Sequence, residues 1–68
     1  MQVTYNSTTD LLYIRMDPET HQLTNKKISE EIVLDIGEDG KIVGIEILDA
    51  SKLLNLSSVL PISIKQVA

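Results

Sequence analysis

Residues 32–54, with the sequence IVLDIGEDGKIVGIEILDASKLL, decide the fold of this chain. They contain two aliphatic runs in which apolar side chains recur at every second position, the period of a β-strand. Residues 37–40 (GEDG) separate the two runs. Gly40 can adopt the left-handed backbone conformation that closes such a turn without strain. This pattern predicts a β-hairpin with strands at 31–36 and 41–48.

Alternation assigns the side chains of this hairpin to two faces. One face is predicted to carry Ile32, Leu34 and Ile36 from the first strand, and Val43, Ile45 and Ile47 from the second. The other face is predicted to carry Val33 and Asp35, then Ile42, Gly44, Glu46 and Leu48. A glycine inside a strand indicates a bulge or the close approach of another backbone, and Gly44 is such a residue.

The rest of the chain adds shorter elements around the hairpin. Alternating residues predict an opening pair of strands at 2–6 and 10–16, separated by turn-forming residues. The second strand has apolar residues on both faces, so we place it in the centre of the sheet. The polar segment 23–28 is either a short edge strand or irregular, and we expect a last edge strand at 62–66. Asp49 is the predicted N-cap of a short helix over 50–54. The fold class is therefore α+β and mostly β: a small antiparallel β-meander of four to six strands with one short helix near its C-terminal end.

Length and composition favour self-association. The chain has 68 residues, one histidine, no cysteine and no Phe or Trp, and we expect a single domain over residues 1–68. A domain of this size buries only about 60% of the surface that its unfolded chain exposes. Disulfides and zinc–thiolate sites are excluded without cysteine, so oligomerisation is the expected source of added stability.

Charge and hydropathy limit the classes of partner. A net charge of −4 argues against nucleic acid, for which a basic patch is the electrostatic footprint. No aliphatic run is long enough to span a bilayer, and the N-terminus lacks the basic and apolar segments of a signal sequence. The expected location is the cytoplasm, with no membrane and no nucleic acid as partner.

The sequence offers no catalytic, cofactor-binding or metal-binding motif. Asp35, Asp39, Gly40 and Glu46 match four positions of a twelve-residue calcium loop, but the flanking segments are predicted strands where that motif needs helices. His21 is expected in a polar loop, exposed to solvent. The sequence Asp49-Ala50-Ser51-Lys52 could place a lysine beside a serine nucleophile, but neighbouring residues on a helix do not face each other.

Glu46 is the candidate functional residue, because it lies between two isoleucines in a predicted strand. The simpler interpretation is a charge on the wetter face, paired across strands with Arg15 or a lysine. The functional interpretation is a carboxylate that shares a pocket with Tyr13, Arg15 and Asp35, where acid–base chemistry would need a shifted pKa.

Several segments together carry a family likeness. They are Tyr5, residues 10–14 (DLLYI), residues 32–35 (IVLD) and residues 38–52 (EDGKIVGIEILDASK). In these segments the chain resembles a family of short bacterial and archaeal proteins, the domain of unknown function numbered twenty-two eighty-three. The departures are Ile36 and residues 56–68, where the family varies. The resemblance implies a small β-rich fold and no established activity, and it supplies no catalytic residues.

Two functions remain open from the sequence. The first is a non-enzymatic protein-interaction module that forms a homodimer and binds a protein partner; in an antitoxin-like form its acidic surface would cover a basic active site. The second is a small-molecule-binding protein or weak enzyme that uses Tyr13, Arg15, Asp35 and Glu46.

Overall fold

The fold is a single sheet with two short helices, seen in a computed structural model that describes residues 1–17, 22–59 and 64–67. The elements are β1 (Gln2–Asn6), β2 (Leu11–Arg15), β3 (Leu23–Lys27), β4 (Ile32–Gly37), β5 (Ile42–Ile47), α1 (Ala50–Leu53), α2 (Leu56–Val59) and β6 (Ile64–Val67). Within this part of the chain the six strands form one sheet in the order β3-β4-β5-β2-β1-β6. The predicted α+β, mostly β class is confirmed.

The sheet is not a simple meander. β3, β4 and β5 follow one another as antiparallel neighbours, but β5 then pairs with β2 of the opening hairpin. The central position predicted for β2 is confirmed, since it lies between β5 and β1, and the polar strand β3 lies at an edge. β6 forms the other edge and runs parallel to β1. A parallel neighbour needs a long crossover connection, and the helical segments lie in that connection.

The strands lie within two residues of their predicted bounds, whereas the helical region differs from its prediction. One helix was expected over 50–54, and two four-residue helices are present. The prediction of a solvent-exposed His21 lies outside the described residues, as do residues 62 and 63 of the predicted last strand.

The β4–β5 hairpin has the predicted turn and also a bulge. The Gly40 N–H donates to the carbonyl of Gly37 at 2.9 Å, and Gly40 has a φ of 83°, as the turn requires. The register then shifts, so that Asp35 pairs with Gly44 and Ile36 pairs with Ile42. The predicted alternation is therefore wrong at Ile42. The extra residue of β5 places Ile42 on the same face as Ile36, not on that of Gly44.

The hydrophobic core lies at one end of one face of the sheet. Tyr5, Leu12 and Ala50 form its buried centre, and Leu12 is only 1% exposed. Partly buried side chains pack around this centre: Val3, Ile47, Leu54 and Leu56. The two helices therefore cover the region where β1, β2 and β5 meet.

The N-terminus of α1 is held by Asp10 and not by the predicted cap, Asp49. The Asp49 side chain makes no capping hydrogen bond, because a left-handed backbone (φ 52°) turns it away from the helix. Asp10 accepts instead from the Ser51 N–H at 3.0 Å, the Ser51 Oγ at 2.6 Å and the Tyr5 hydroxyl at 2.7 Å. The Asp10 carbonyl also accepts from the Ala50 N–H at 3.0 Å. Asp10, in the turn between β1 and β2, thus fixes the helix to the sheet.

This arrangement predicts different effects for two matched substitutions. Asp10 and Asp49 both have positive φ, so an alanine introduces similar backbone strain at either position. Asp10→Ala also removes the acceptor for Ser51 and Tyr5, and we expect its melting temperature to fall by several degrees more than that of Asp49→Ala. Thermal unfolding followed by circular dichroism measures both. Equal losses would show that Asp10 does not anchor the helix.

Candidate functional site

Three of the four candidate residues meet on the face of the sheet opposite the helices. Tyr13 on β2 is the cross-strand partner of Glu46 on β5. Asp35 on β4 is the partner of Gly44, two residues before Glu46 on the same strand. Cross-strand partners point to the same side of a sheet, so these side chains are neighbours. Asn25 on β3 is the opposite partner of Asp35 and completes the row.

The centre of this cluster is Asp35, which is buried with 5% of its surface exposed. The Tyr13 hydroxyl donates to Asp35 Oδ2 at 3.1 Å, and Asn25 Nδ2 donates to Asp35 Oδ1 at 2.6 Å. The carboxyl group of Glu46 lies close enough to that of Asp35 for the two to interact. A buried carboxylate needs such partners to offset the cost of removing it from water. We call Tyr13, Asn25, Asp35 and Glu46 the carboxyl cluster.

Asp35 and Glu46 bring two carboxyl groups together on this face, which favours the protonated form of Glu46. An ionised carboxylate only accepts hydrogen bonds, so one member of a bonded carboxyl pair carries a proton. Hydrogen bonding with Asp35 raises the pKa of Glu46, and burial and the negative charge of Asp35 raise it further. The pairing of Glu46 with Arg15 or a lysine stays a prediction, and the pKa of Glu46 responds mainly to the neighbouring carboxyl group of Asp35.

Tyr13 is held in its neutral form by the same surroundings. Burial, the hydrogen bond to Asp35 and the charges of Asp35 and Glu46 raise the pKa of Tyr13, while the nearby charge of Arg15 acts in the opposite direction. A neutral hydroxyl remains a hydrogen-bond donor to Asp35 at neutral pH. Tyr13 thus supports the carboxylate and is poorly suited to act as a base.

Gly44 makes room for the Tyr13 ring. A β-carbon at Gly44 would collide with the Tyr13 hydroxyl and would lie 2.9 Å from Tyr13 Cζ. The predicted close approach at this glycine is real, but the approaching group is a side chain from the neighbouring strand, not a backbone. The ring therefore lies across β5 and brings its hydroxyl to Asp35 on the strand beyond.

Arg15 lies on the same face of the sheet as the carboxyl cluster, because its cross-strand partner is Gly44. Its Nε donates to the carbonyl of Asp17 at 3.0 Å. It also lines a cavity of about 130 Å³ with Met1, Gln2 and Met16. The charge of Arg15 acts on Tyr13 and opposes the burial that raises its pKa.

Asn25 is the member of the cluster that sequence analysis missed. It lies in a polar, weakly patterned segment, and only the register between β3 and β4 brings it to Asp35. A hairpin prediction for β3 and β4 would have paired the two residues, but the sequence between the strands gave no clear hairpin turn.

The described side chains of the cluster are joined by hydrogen bonds. In the described parts of the chain no group of three or more His, Cys, Asp or Glu side chains is placed to hold a metal ion. No described side-chain nitrogen or oxygen is buried without a hydrogen-bond partner.

No described helix has the length and apolar character needed to cross a membrane.

Comparison with known proteins identifies the family. The family described as "Protein of unknown function (DUF2283)" matches residues 2–51, which include β1 to β5 and the start of α1. The chain belongs to this family, as its resemblance predicted. No curated protein and no solved structure shows significant similarity to it.

The carboxyl pair predicts a pH-dependent stability. Because the pKa of Glu46 is raised in the folded state, its proton stabilises the fold below the ordinary value of 4.5, and this contribution is lost as pH rises through the folded pKa. Glu46→Gln keeps a neutral hydrogen-bonding group at every pH. We expect it to be more stable than the wild type at neutral pH, with a flatter dependence above pH 4.5. Thermal melts between pH 4.5 and 8 measure this. Asp10 titrates below this range, because the hydrogen bonds from Ser51 and Tyr5 lower the pKa of its carboxyl group.

Glu31→Gln is the matched control, since it removes the same negative charge from the loop before β4. General charge repulsion would respond to both substitutions alike. A Glu46→Gln variant that follows the pH profile of the Glu31→Gln variant would contradict the raised pKa of Glu46.

A second prediction concerns the space at Gly44. We expect Gly44→Ala to cost on the order of 1–3 kcal/mol of unfolding free energy, because the added methyl group must displace the Tyr13 ring. In a Tyr13→Ala background the collision is gone, so the same substitution should cost much less. Urea denaturation of the four proteins in this double-mutant cycle gives both values. Additive effects would show that Tyr13 does not occupy the space above Gly44.

Proposed function

We propose that this protein is a non-enzymatic interaction module that works as a homodimer in the cytoplasm and binds a protein partner. The observation that carries the proposal is the size of the core. Among the described residues the buried apolar side chains are those of Tyr5, Leu12, Val43 and Ala50. Burial of large aliphatic side chains supplies most of the stability of a small domain, and so few buried residues favour association.

The exposed apolar side chains support the same proposal. Several large ones are at least one-third exposed: Met1, Met16, Leu23, Ile28, Ile42, Leu48 and Leu53. Single exposed apolar residues are common on any protein, but many on one small chain are typical of a protein that buries them against a partner.

The negative charge favours a basic partner surface. The net charge is −4 over only 68 residues, so a positively charged protein surface would be attracted over a distance of about one Debye length. An antitoxin-like regulator that covers a basic active site is one form of this proposal. Such a partner would bind in addition to the second copy of the chain.

A second candidate function rests on the carboxyl cluster. Tyr13, Asp35 and Glu46 converge on one face, and shifted pKa values occur at functional sites more often than elsewhere. A small ligand with hydrogen-bond donors could bind there, or a weak acid–base reaction could use the proton of Glu46. We place this function second, because both carboxyl oxygens of Asp35 already accept hydrogen bonds from side chains of the protein.

Native mass tests the first proposal directly. Sedimentation equilibrium at tens of micromolar should give twice the mass of the chain, and a tagged copy isolated gently from its own cells should carry either a second copy or a second polypeptide in fixed ratio. A stable monomer throughout that concentration range would contradict the homodimer.

Ligand screening by melting temperature separates the two candidates. The small-molecule function predicts that some metabolite raises the melting temperature of the wild type and fails to do so with Tyr13→Phe, which lacks only the hydroxyl. The interaction module predicts no such ligand.

A further inference from the structure

Part of the apolar face of the sheet lies outside the core that the described helices cover. The side chains concerned belong to the face that carries the helices but lie beyond them, on β2, β4 and β5. We call them the uncovered face: Ile14, Leu34, Ile36, Ile42 and Ile45.

The strand register places these five residues side by side. Leu34 pairs with Ile45 and Ile45 pairs with Ile14, which makes one continuous row across three strands. Ile36 pairs with Ile42 in the next row, because of the bulge. Cross-strand partners share a face, so the five side chains form one aliphatic surface.

Among the described residues, the core that the helices cover takes in Leu12 and Ile47 but none of these five side chains. Ile14, Leu34, Ile36 and Ile45 are half-buried although they stand on inner strands of the sheet, and Ile42 is 45% exposed. Leu12, on the same face, is 1% exposed because the helical segment packs over it. A sheet normally buries its apolar face against a second layer, and here that layer stops short of the uncovered face.

The surface is large enough for a reversible dimer. Three strands of five residues measure about 14 by 17 Å in plan, or roughly 240 Å² for each copy. Branched side chains give an accessible area above the plan area, and Met16 and Ile28, 41% and 54% exposed, lie at its rim. Two copies would bury at least roughly 500 Å² in total, which lies in the range of weak, reversible contacts below about 1,200 Å².

Charge favours a second copy as the occupant. Within β1 to β5 the uncovered side of the sheet has Lys26 at its edge as its charged residue, whereas the opposite side carries Arg15, Lys27, Asp35 and Glu46. Two chains of net charge −4 repel each other in most orientations. Contact through the uncovered face brings no carboxylates of the sheet together.

We propose that two copies of this chain stack their sheets through the uncovered face, with Leu34 and Ile45 at the centre of the interface. This inference rests on the homodimer proposed above and assigns its surface. The two sheets would lie about 10 Å apart, the usual distance between stacked sheets. The carboxyl cluster of each copy then faces outward, and the edge strands take no part in the contact.

A pair of adjacent substitutions on β4 tests the surface. Leu34→Lys puts a charge at the centre of the interface, whereas Val33→Lys puts the same charge one residue away on the opposite side of the sheet. Sedimentation equilibrium should show the dissociation constant raised at least roughly tenfold by Leu34→Lys and little changed by Val33→Lys. Circular dichroism checks that both variants are folded.

A measurement on the wild type keeps the test decisive if Leu34→Lys does not fold. A soluble paramagnetic agent should relax the methyl groups of Ile14, Leu34 and Ile45 more strongly on dilution, when the dimer dissociates, and leave that of Val33 unchanged. A wild type that is monomeric at tens of micromolar overturns the homodimer and this surface together. A wild-type dimer that withstands Leu34→Lys, or whose Leu34 and Ile45 methyl groups do not respond to dilution, overturns the surface alone.

Discussion

A sheet with an apolar face needs a second layer, and the described helices of this chain provide one over only part of the sheet. The described helices contain four residues each and pack over the end where β1, β2 and β5 meet. Asp10 determines where that cover lies, because its carboxylate binds both the N-terminus of α1 and the hydroxyl of Tyr5. The buried core is built around this one attachment, and the apolar surface beyond it is the one that we propose for self-association.

The two sides of the sheet have different chemistry. On the side of the helices the inner strands present aliphatic side chains, so that side is suited to packing. On the other side a buried carboxylate, Asp35, is surrounded by a phenol, an amide and a second carboxyl group. A polar cluster of this kind is costly to build unless each group is hydrogen-bonded, and its groups are. This division separates the surface that we propose for self-association from the polar cluster.

Local pattern predicted most of the sheet. The alternation of residues 32–36, the turn at residues 37–40 and the central position of β2 follow from side-chain period and turn chemistry, and each is found in the structure. Gly44 signalled an irregularity, and the bulge lies beside it. The prediction failed at Ile42 because one extra residue reverses the alternation beyond a bulge, and the position of that residue depends on pairing with β4.

Contacts between distant parts of the chain were not predictable from local pattern. Asp49 had the right residue type and position for a cap, but the role passed to Asp10, which lies 41 residues before Ser51 and approaches only through the tertiary fold. In the same way, Tyr13, Asp35 and Glu46 were individually notable, but the order β4-β5-β2 was needed to place them together. Asn25 had no signal of its own, because its role depends on its cross-strand partner.

The central claim, that the uncovered face joins two copies of the chain, is tested most directly by nuclear Overhauser contacts in a mixed sample. Protein with labelled methyl groups is mixed with unlabelled protein, and only contacts between the two kinds of chain are recorded. The account predicts contacts from the methyl groups of Leu34 and Ile45 to aliphatic protons of the other copy. Contacts confined to the edge strands β3 or β6, or no contacts between copies at concentrations well above the dissociation constant, would contradict it.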